Sequence, residues 1–176
     1  MKKMILSSIV FMIYINCHGQ TKLVPGEINI KHDTFVIFTL KPVDSIKYIG
    51  IYSNSNKYKN GVPYTKAEKN RTFVPMDFRK DLHVNQNVLK QIIYNKLSNK
   101  LNSLKSNKET MRVNIEFEPN GKVTDIIFTL KENTNITLED IEQIDQKIRR
   151  DINATFTGEN YKQYIAIDYY LPVIVF

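Results

Sequence analysis

The sequence predicts an α+β protein in which a small antiparallel sheet carries two helices on one face. Two alternating runs flank an Asn-Gly pair within residues 113–128, which is typical of a β-hairpin. Residues 84–105 and 137–152 repeat apolar side chains at helical spacing. The order from residue 84 is therefore helix, strand, strand, helix, strand. Because each element is apolar on one side, we expect both helices to pack on the apolar face of the sheet, after a β-rich N-terminal extension.

Residues 1–19 predict an export signal that is not part of the fold. Two lysines precede an apolar stretch at 5–15, which is too short to span a bilayer. Cleavage after Gly19 leaves small residues, Cys17 and Gly19, at the two positions that a signal peptidase reads. We therefore expect an exported protein, periplasmic or secreted, with no transmembrane span in the mature chain.

Cys17 is the only cysteine, and it allows a second interpretation of the N-terminus. As the acylated residue of a lipoprotein, it would anchor the chain to the outer membrane. A lipobox prefers a small residue just before the cysteine and often Leu three before it, whereas this chain has Asn16 and Tyr14 there. Under either interpretation the mature chain has no disulfide, no thiol nucleophile and no cysteine metal ligand.

The charge balance gives no sign of nucleic-acid binding. The chain of 176 residues carries 25 basic and 18 acidic side chains, a formal charge of +7. Removing Lys2 and Lys3 with the signal lowers that charge by two, to +5. A charge this mild, in an exported chain without a nucleic-acid-binding motif, predicts no nucleic-acid partner.

Residues 20–80 are the predicted β-rich N-terminal region. Residues 28–40 are rich in Ile, Phe, Val and Thr, which predicts one strand that ends before Pro42. Residues 45–53 predict the strand that pairs with it. A long polar loop follows at 54–72, and loops of this length in compact domains are often functional or disordered.

Tyr58 and Tyr64 are the aromatic residues of the polar loop 54–72. They are candidate ligand contacts, although exposed tyrosines in a flexible loop are the favoured interpretation. They define the alternative function, a small-ligand carrier in the periplasm. In such a carrier the region 20–80 would lie over the helix–sheet domain and leave a cleft lined by Tyr58 or Tyr64.

Residues 81–176 are the predicted α+β domain, which begins with the helix at 84–105. The apolar stripe of this helix consists of Val84, Val88, Leu89, Ile92, Ile93, Leu97, Leu101 and Leu104. A second helix begins at Thr137, with Asp140 placed for a capping box. Residues 161–176 predict a final strand that Pro172 interrupts, and a proline without an N–H favours an edge position.

The hairpin between the helices is predicted in register. If Asn120 and Gly121 form a type I′ turn, facing residues have numbers that sum to 241. The apolar face then pairs Phe117 with Thr124, Ile115 with Ile126, Val113 with Phe128 and Met111 with Leu130. On the other face Glu116 lies opposite Asp125, where like charges repel. A cation site and a solvated acidic face both fit this pair, and we expect the solvated face because divalent sites need more oxygen ligands.

The C-terminal half resembles the TonB C-terminal domain superfamily. The likeness lies in FEPNGKVTDIIF at 117–128, LEDIEQIDQKI at 138–148 and YYLPVIVF at 169–176, and it covers residues 84–176. The resemblance implies a periplasmic domain that binds partner segments, often by adding a strand to its sheet edge. Energy transduction is not implied, because a true TonB keeps an N-terminal membrane helix and a long Pro-rich linker that this chain lacks.

No recognised catalytic motif occurs in the sequence. After signal removal the histidines are His32 and His83, which lie in unrelated segments. Metalloprotease, serine-hydrolase, Walker and dinucleotide-binding patterns do not occur. We therefore expect neither an enzyme nor a cofactor or metal, and a hydrolytic enzyme is the least favoured alternative.

The favoured function is a non-catalytic protein-interaction module of the cell envelope. An exposed edge strand at 161–171 would accept an extended segment of an envelope protein, or pair with a second copy of this chain. Tyr164, Tyr169 and Tyr170 would then supply selectivity. The competing arrangement is a central strand whose tyrosines pack on the core.

Overall fold

The computed structural model describes residues 23–58 and 74–176. The strands are β1 (Gly26–Asn29), β2 (Thr34–Thr39), β3 (Tyr48–Ser53), β4 (Leu82–Val84), β5 (Thr110–Phe117), β6 (Val123–Lys131), β7 (Ala154–Phe156), β8 (Ile167–Tyr170) and β9 (Ile174–Val175). The helices are α1 (Gln86–Lys96), α2 (Leu101–Ser106) and α3 (Leu138–Asp151), with 3-10 helices at Ser98–Lys100 and Asn160–Gln163.

Seven strands form one antiparallel sheet. Its order is β1-β2-β3-β6-β5-β8, and β9 pairs with the start of β5. Strands β4 and β7 form a separate two-stranded ribbon. The predicted α+β class is therefore confirmed, with a mostly antiparallel sheet.

The N-terminal strands form a meander that extends this sheet. The prediction of one strand at 28–40 is wrong, because the chain reverses where the Ile30 N–H donates to the Asp33 carbonyl at 3.0 Å. Strands β1 and β2 are the two arms of that turn. Strand β3 pairs with β2 as predicted and also with β6, where Ile51 lies opposite Phe128. Strands from the two predicted regions therefore share one sheet.

The hairpin of β5 and β6 has the predicted register over most of its length. Pairs from Met111–Leu130 to Glu116–Asp125 are confirmed. The turn itself differs, because the Gly121 N–H donates to the Glu118 carbonyl at 2.8 Å and only Gly121 has positive φ, at 84°. Pro119 and Asn120 are thus the central residues of a type I turn, which proline at the first central position favours.

The changed turn shifts the pairing at the end of this hairpin. Phe117 lies opposite Val123 instead of Thr124, and Thr124 becomes an extra residue in a β-bulge. Gly121 also approaches the small ribbon, since its carbonyl accepts from the Ala154 N–H at 2.9 Å. This hydrogen bond joins the hairpin tip to β7.

The first predicted helix is shorter and interrupted. Val84 belongs to β4, and the Asn85 side chain caps α1 by accepting from the Val88 N–H at 3.1 Å. The 3-10 helix after Leu97 then separates α1 from α2. The second helix starts as predicted, because Thr137 and Asp140 form a reciprocal capping box at the start of α3.

The core lies between the helices and one side of the sheet, here called the helix-covered face. Its buried strand residues include Phe35, Ile37, Ile49, Ile51, Met111, Val113, Ile115, Phe117, Ile126, Phe128 and Leu130. Buried residues from α1, α2 and α3 pack against them, among them Leu89, Ile93, Leu104, Ile141, Ile144 and Ile148. Within the described ranges, no helix is long and apolar enough to cross a membrane.

The other side of the sheet is here called the opposite face. Because side chains alternate along a strand, the residues between the core positions point there. Its residues include Val36, Phe38, Tyr52, Arg112, Asn114, Glu116, Ile127, Thr129 and Tyr170. Most of these side chains are partly or largely exposed.

The predicted single strand at 161–176 is divided into three elements. The 3-10 helix Asn160–Gln163 comes first, and β8 and β9 follow on the same side of β5. Pro172 lies in the gap between β8 and β9, which agrees with its lack of a ladder donor. The C-terminal edge of the sheet is therefore formed by residues 167–175, and we use that name for it.

Candidate protein-binding edge

The C-terminal edge directs backbone groups away from the sheet. Leu171 lies opposite Val113 and donates its N–H to that carbonyl at 3.0 Å, so this is a hydrogen-bonded pair. Hydrogen-bonded and non-hydrogen-bonded pairs alternate in an antiparallel ladder. The N–H and C=O of Tyr170 therefore point outward. In the described part of the chain, no strand pairs with this outer side.

The same argument applies to β9. Phe176 donates its N–H to the Glu109 carbonyl at 3.1 Å, which makes the neighbouring Val175 an outward-facing position. Tyr170 is 70% exposed and Val175 is 64% exposed, and Val173 between them is also exposed. The edge thus combines outward backbone groups with exposed apolar side chains, the combination that attracts another strand.

The three tyrosines predicted for this edge have different environments. Tyr170 is on the edge and exposed, as predicted. Tyr169 points to the helix-covered face, where its ring lies 6.3 Å from the Phe117 ring. Tyr164 is buried instead of lying on the edge, because its hydroxyl accepts from the Met76 N–H at 3.1 Å. Tyr164 therefore helps to hold the chain before β4, in a small cluster with Met76 and Ile167.

A row of three carboxyl groups crosses the opposite face beside the edge. Glu116 on β5 lies between Asp125 on β6 and Asp168 on β8. Burial, together with the charges of Asp125 and Asp168, raises the pKa of Glu116 to about 7. The sequence predicted the first two members of this row, but the neighbour on β8 depends on the tertiary fold. Among the described residues, no group of three such side chains has an arrangement that could hold a metal ion.

The Asp125 end of the row is fixed by the turn after β3. The Tyr58 N–H donates to Asp125 Oδ1 at 2.7 Å, and the Lys57 ammonium lies 5.2 Å from the Tyr58 ring centroid. Tyr58 is thus a structural neighbour of the acidic row. Tyr64, Cys17 and the cleavage position at Gly19 lie outside the described residues.

Asn56 anchors this same turn to the sheet. Its side-chain amide donates to the Ile126 carbonyl at 3.0 Å and accepts from the Ile126 N–H at 3.2 Å, as a strand residue would. Arg149 on α3 contacts Asn56, donates to the Thr124 carbonyl at 2.7 Å, and pairs with Asp145 at 2.6 Å. Burial raises the pKa of Asp145, although its hydrogen bond to Arg149 opposes that shift. This buried network stabilises the bulged end of the hairpin.

The two histidines among the described residues lie on different elements. His32 lies in the turn between β1 and β2, where its backbone N–H donates to Glu142 at 3.0 Å. His83 lies on β4 and lines a groove beside α1. The groove has a volume of about 550 Å³ and is lined by Leu82, His83, Val84, Asn85, Gln86, Asn153, Thr155 and Tyr169. Tyr58 does not line this groove.

Comparisons with known proteins support the fold. No family model and no curated protein sequence matches the chain. A crystal structure of a DUF5043 family protein from Bacteroides uniformis is similar, with a TM-score of 0.59 and 14% sequence identity. The match covers 86% of this chain and 84% of that one. At this identity the likeness concerns the fold alone.

Proposed function

We propose that this chain is an exported cell-envelope protein that binds a partner by adding a strand to its C-terminal edge. The observation that carries the proposal is the pair of outward, exposed positions at Tyr170 and Val175. A partner strand would form backbone hydrogen bonds with these residues, and the side chains beside them would select its sequence.

The sequence of the N-terminus and the TonB-like resemblance support the same proposal. Residues 1–19 have the features of an export signal, which suits a protein of the periplasm or the cell surface. The domains that residues 84–176 resemble often bind partner segments through a sheet edge. We infer a non-catalytic role, because no recognised catalytic motif occurs in the sequence.

The backbone part of this proposal is tested with three variants of β8. Tyr170→Pro removes an outward N–H that β5 does not use, whereas Tyr170→Ala removes only the side chain. Tyr169→Pro is the structural control, because it removes an inward N–H that faces β5. We expect Tyr170→Pro to fold and to lose the partner, Tyr170→Ala to bind more weakly, and Tyr169→Pro to be strongly destabilised.

The partner is captured by photo-crosslinking in cells. A photoreactive residue at position 170 or 175 is compared with one at Val43, which is 58% exposed but lies before β3, away from this edge. A discrete protein that is captured at 170 and 175 but not at 43, and whose capture at 175 is lost when Tyr170→Pro is also present, supports the proposal. Capture that survives Tyr170→Pro, or equal capture at 43, contradicts strand addition.

A further inference from the structure

The groove lined by His83 and Gln86 adjoins the C-terminal edge through Tyr169. That residue belongs to β8, and its side chain forms one wall of the groove on the helix-covered side. The other walls come from the β4–β7 ribbon and the start of α1. A strand added to the edge would therefore pair with β8 at a residue that also lines this groove.

The pairing geometry determines which partner residue meets the groove. On the outer side of β8 the hydrogen-bonded position is Tyr170, so Tyr169 is a non-hydrogen-bonded position there. Side chains of directly opposed residues lie on the same face, and they are closest in non-hydrogen-bonded pairs. The partner side chain opposite Tyr169 is therefore directed to the helix-covered side, beside the groove.

The lining chemistry defines the side chain that fits. The polar groups of the groove are the amides of Asn85, Gln86 and Asn153, the hydroxyls of Thr155 and Tyr169, and the imidazole of His83. No carboxylate, lysine or arginine is among its lining residues. A charged side chain would meet no opposite charge there. A purely apolar side chain would form no hydrogen bond with these groups. The groove therefore suits a neutral group that both donates and accepts hydrogen bonds.

We propose that the segment bound at the C-terminal edge carries a neutral hydrogen-bonding residue, such as Asn, Gln, Ser or Thr, opposite Tyr169. This inference rests on the proposed function and states which type of residue the bound segment must carry at one position. The backbone of the edge supplies affinity, and the groove selects one side chain of every bound sequence.

The test uses a displayed library of unstructured peptides, selected for binding to the full chain. The variant is Gln86→Leu, which replaces a groove amide with an apolar group. Its matched control is Gln91→Leu, another exposed glutamine on α1 that does not line the groove. Tyr170→Pro reports separately on strand addition.

We expect selected peptides to share one neutral polar position, and Gln86→Leu to shift that position toward apolar residues by at least tenfold in enrichment. Gln91→Leu should leave the preference unchanged, and Tyr170→Pro should abolish selection. If Tyr170→Pro abolishes selection but Gln86→Leu and Gln91→Leu select the same sequences as the natural chain, the groove inference is wrong and strand addition stands. Peptides that bind Tyr170→Pro unchanged, or a library with no enriched sequence, would overturn both.

Discussion

The two faces of the sheet use the same strands for different purposes. On β6, Phe128 is fully buried against the helices, while the next residue back, Ile127, is partly exposed on the opposite face. Every core position of β5 and β6 on the helix-covered face is apolar, whereas the opposite face accommodates three neighbouring carboxyl groups. Burial by the helices therefore determines the fold, and the opposite face tolerates features that oppose stability.

The largest expected loss of stability comes from replacing neighbouring residues on the two faces. Phe128→Ala removes a fully buried ring and should destabilise the protein by about 3–5 kcal/mol. Ile127→Ala, one position away, should cost roughly 1 kcal/mol because its side chain is already partly in water. Denaturant unfolding of both variants measures the two values. Equal losses would show that the opposite face is covered as tightly as the core.

The next largest effect is the pH dependence of stability that the raised pKa of Glu116 causes. A carboxyl whose pKa rises from 4.5 to about 7 on folding holds its proton more tightly in the folded state. Stability is then highest below the unfolded pKa and falls as pH rises from about 4.5 to about 7. Glu116→Gln should remove this decline and, after allowance for solvent screening, stabilise the protein at pH 8 by about 1–2 kcal/mol.

The control for that measurement is Glu118, which lies in the turn directly after β5. Its hydrogen bond with Lys57 lowers the pKa of Glu118, so the sign is opposite. Glu118 adds stability above its unfolded pKa and loses it as pH falls through the folded value. Glu118→Gln should therefore leave the protein slightly less stable at pH 8, measured by the same pH series of unfolding curves. A Glu116→Gln variant that behaves like Glu118→Gln would contradict the acidic row as a source of strain.

A smaller effect concerns Gly50 in β3, on the opposite face. The Phe38 ring covers this glycine so closely that a Cβ would lie 2.2 Å from Phe38 Cζ. Gly50→Ala must displace the ring, which should cost about 1 kcal/mol of ring packing. In a Phe38→Ala background the same change should be neutral or stabilising, because alanine is less flexible than glycine in the unfolded chain. The double-mutant cycle measures this coupling, and additive changes would mean that the ring does not resist a Cβ.

The smallest effect on stability is expected at the C-terminal edge. Tyr170 is largely exposed, so Tyr170→Ala should change the unfolding free energy by no more than about 0.5 kcal/mol. The same variant should clearly reduce the yield of captured partner while leaving the melting temperature almost unchanged. A matching loss of both would show that Tyr170 acts in folding instead of recognition.

Sequence patterns predicted the elements that depend on local periodicity. The pairing from Met111–Leu130 to Glu116–Asp125 follows from alternation, since a slip by one residue would expose the whole apolar face. The capping box at Thr137 is equally local. The turn type differs from the prediction because Pro119, whose fixed φ favours a type I turn, outweighs the preference of the Asn-Gly pair for a type I′ turn.

The candidate site was less predictable, because it depends on elements far apart in the chain. Tyr164 and Tyr170 have similar sequence surroundings, yet contact with Met76 buries the first and leaves the second exposed. The groove joins residues 82–86, 153–155 and 169, which no periodicity connects. Pro172 is the one sequence feature that indicates this edge, because it divides β8 from β9, and Val173 and Val175 after it are exposed.

The junction between β3 and β6 also has a consequence for biosynthesis. Chains are made from the N-terminus, so the β1–β3 meander emerges well before β6, its partner in the finished sheet. Until then the apolar side of the meander, with Phe35, Ile37 and Ile51, has no core to enter. Pairings this distant in sequence also form slowly. The nascent chain therefore keeps these apolar side chains exposed to other chains until β6 has been synthesised.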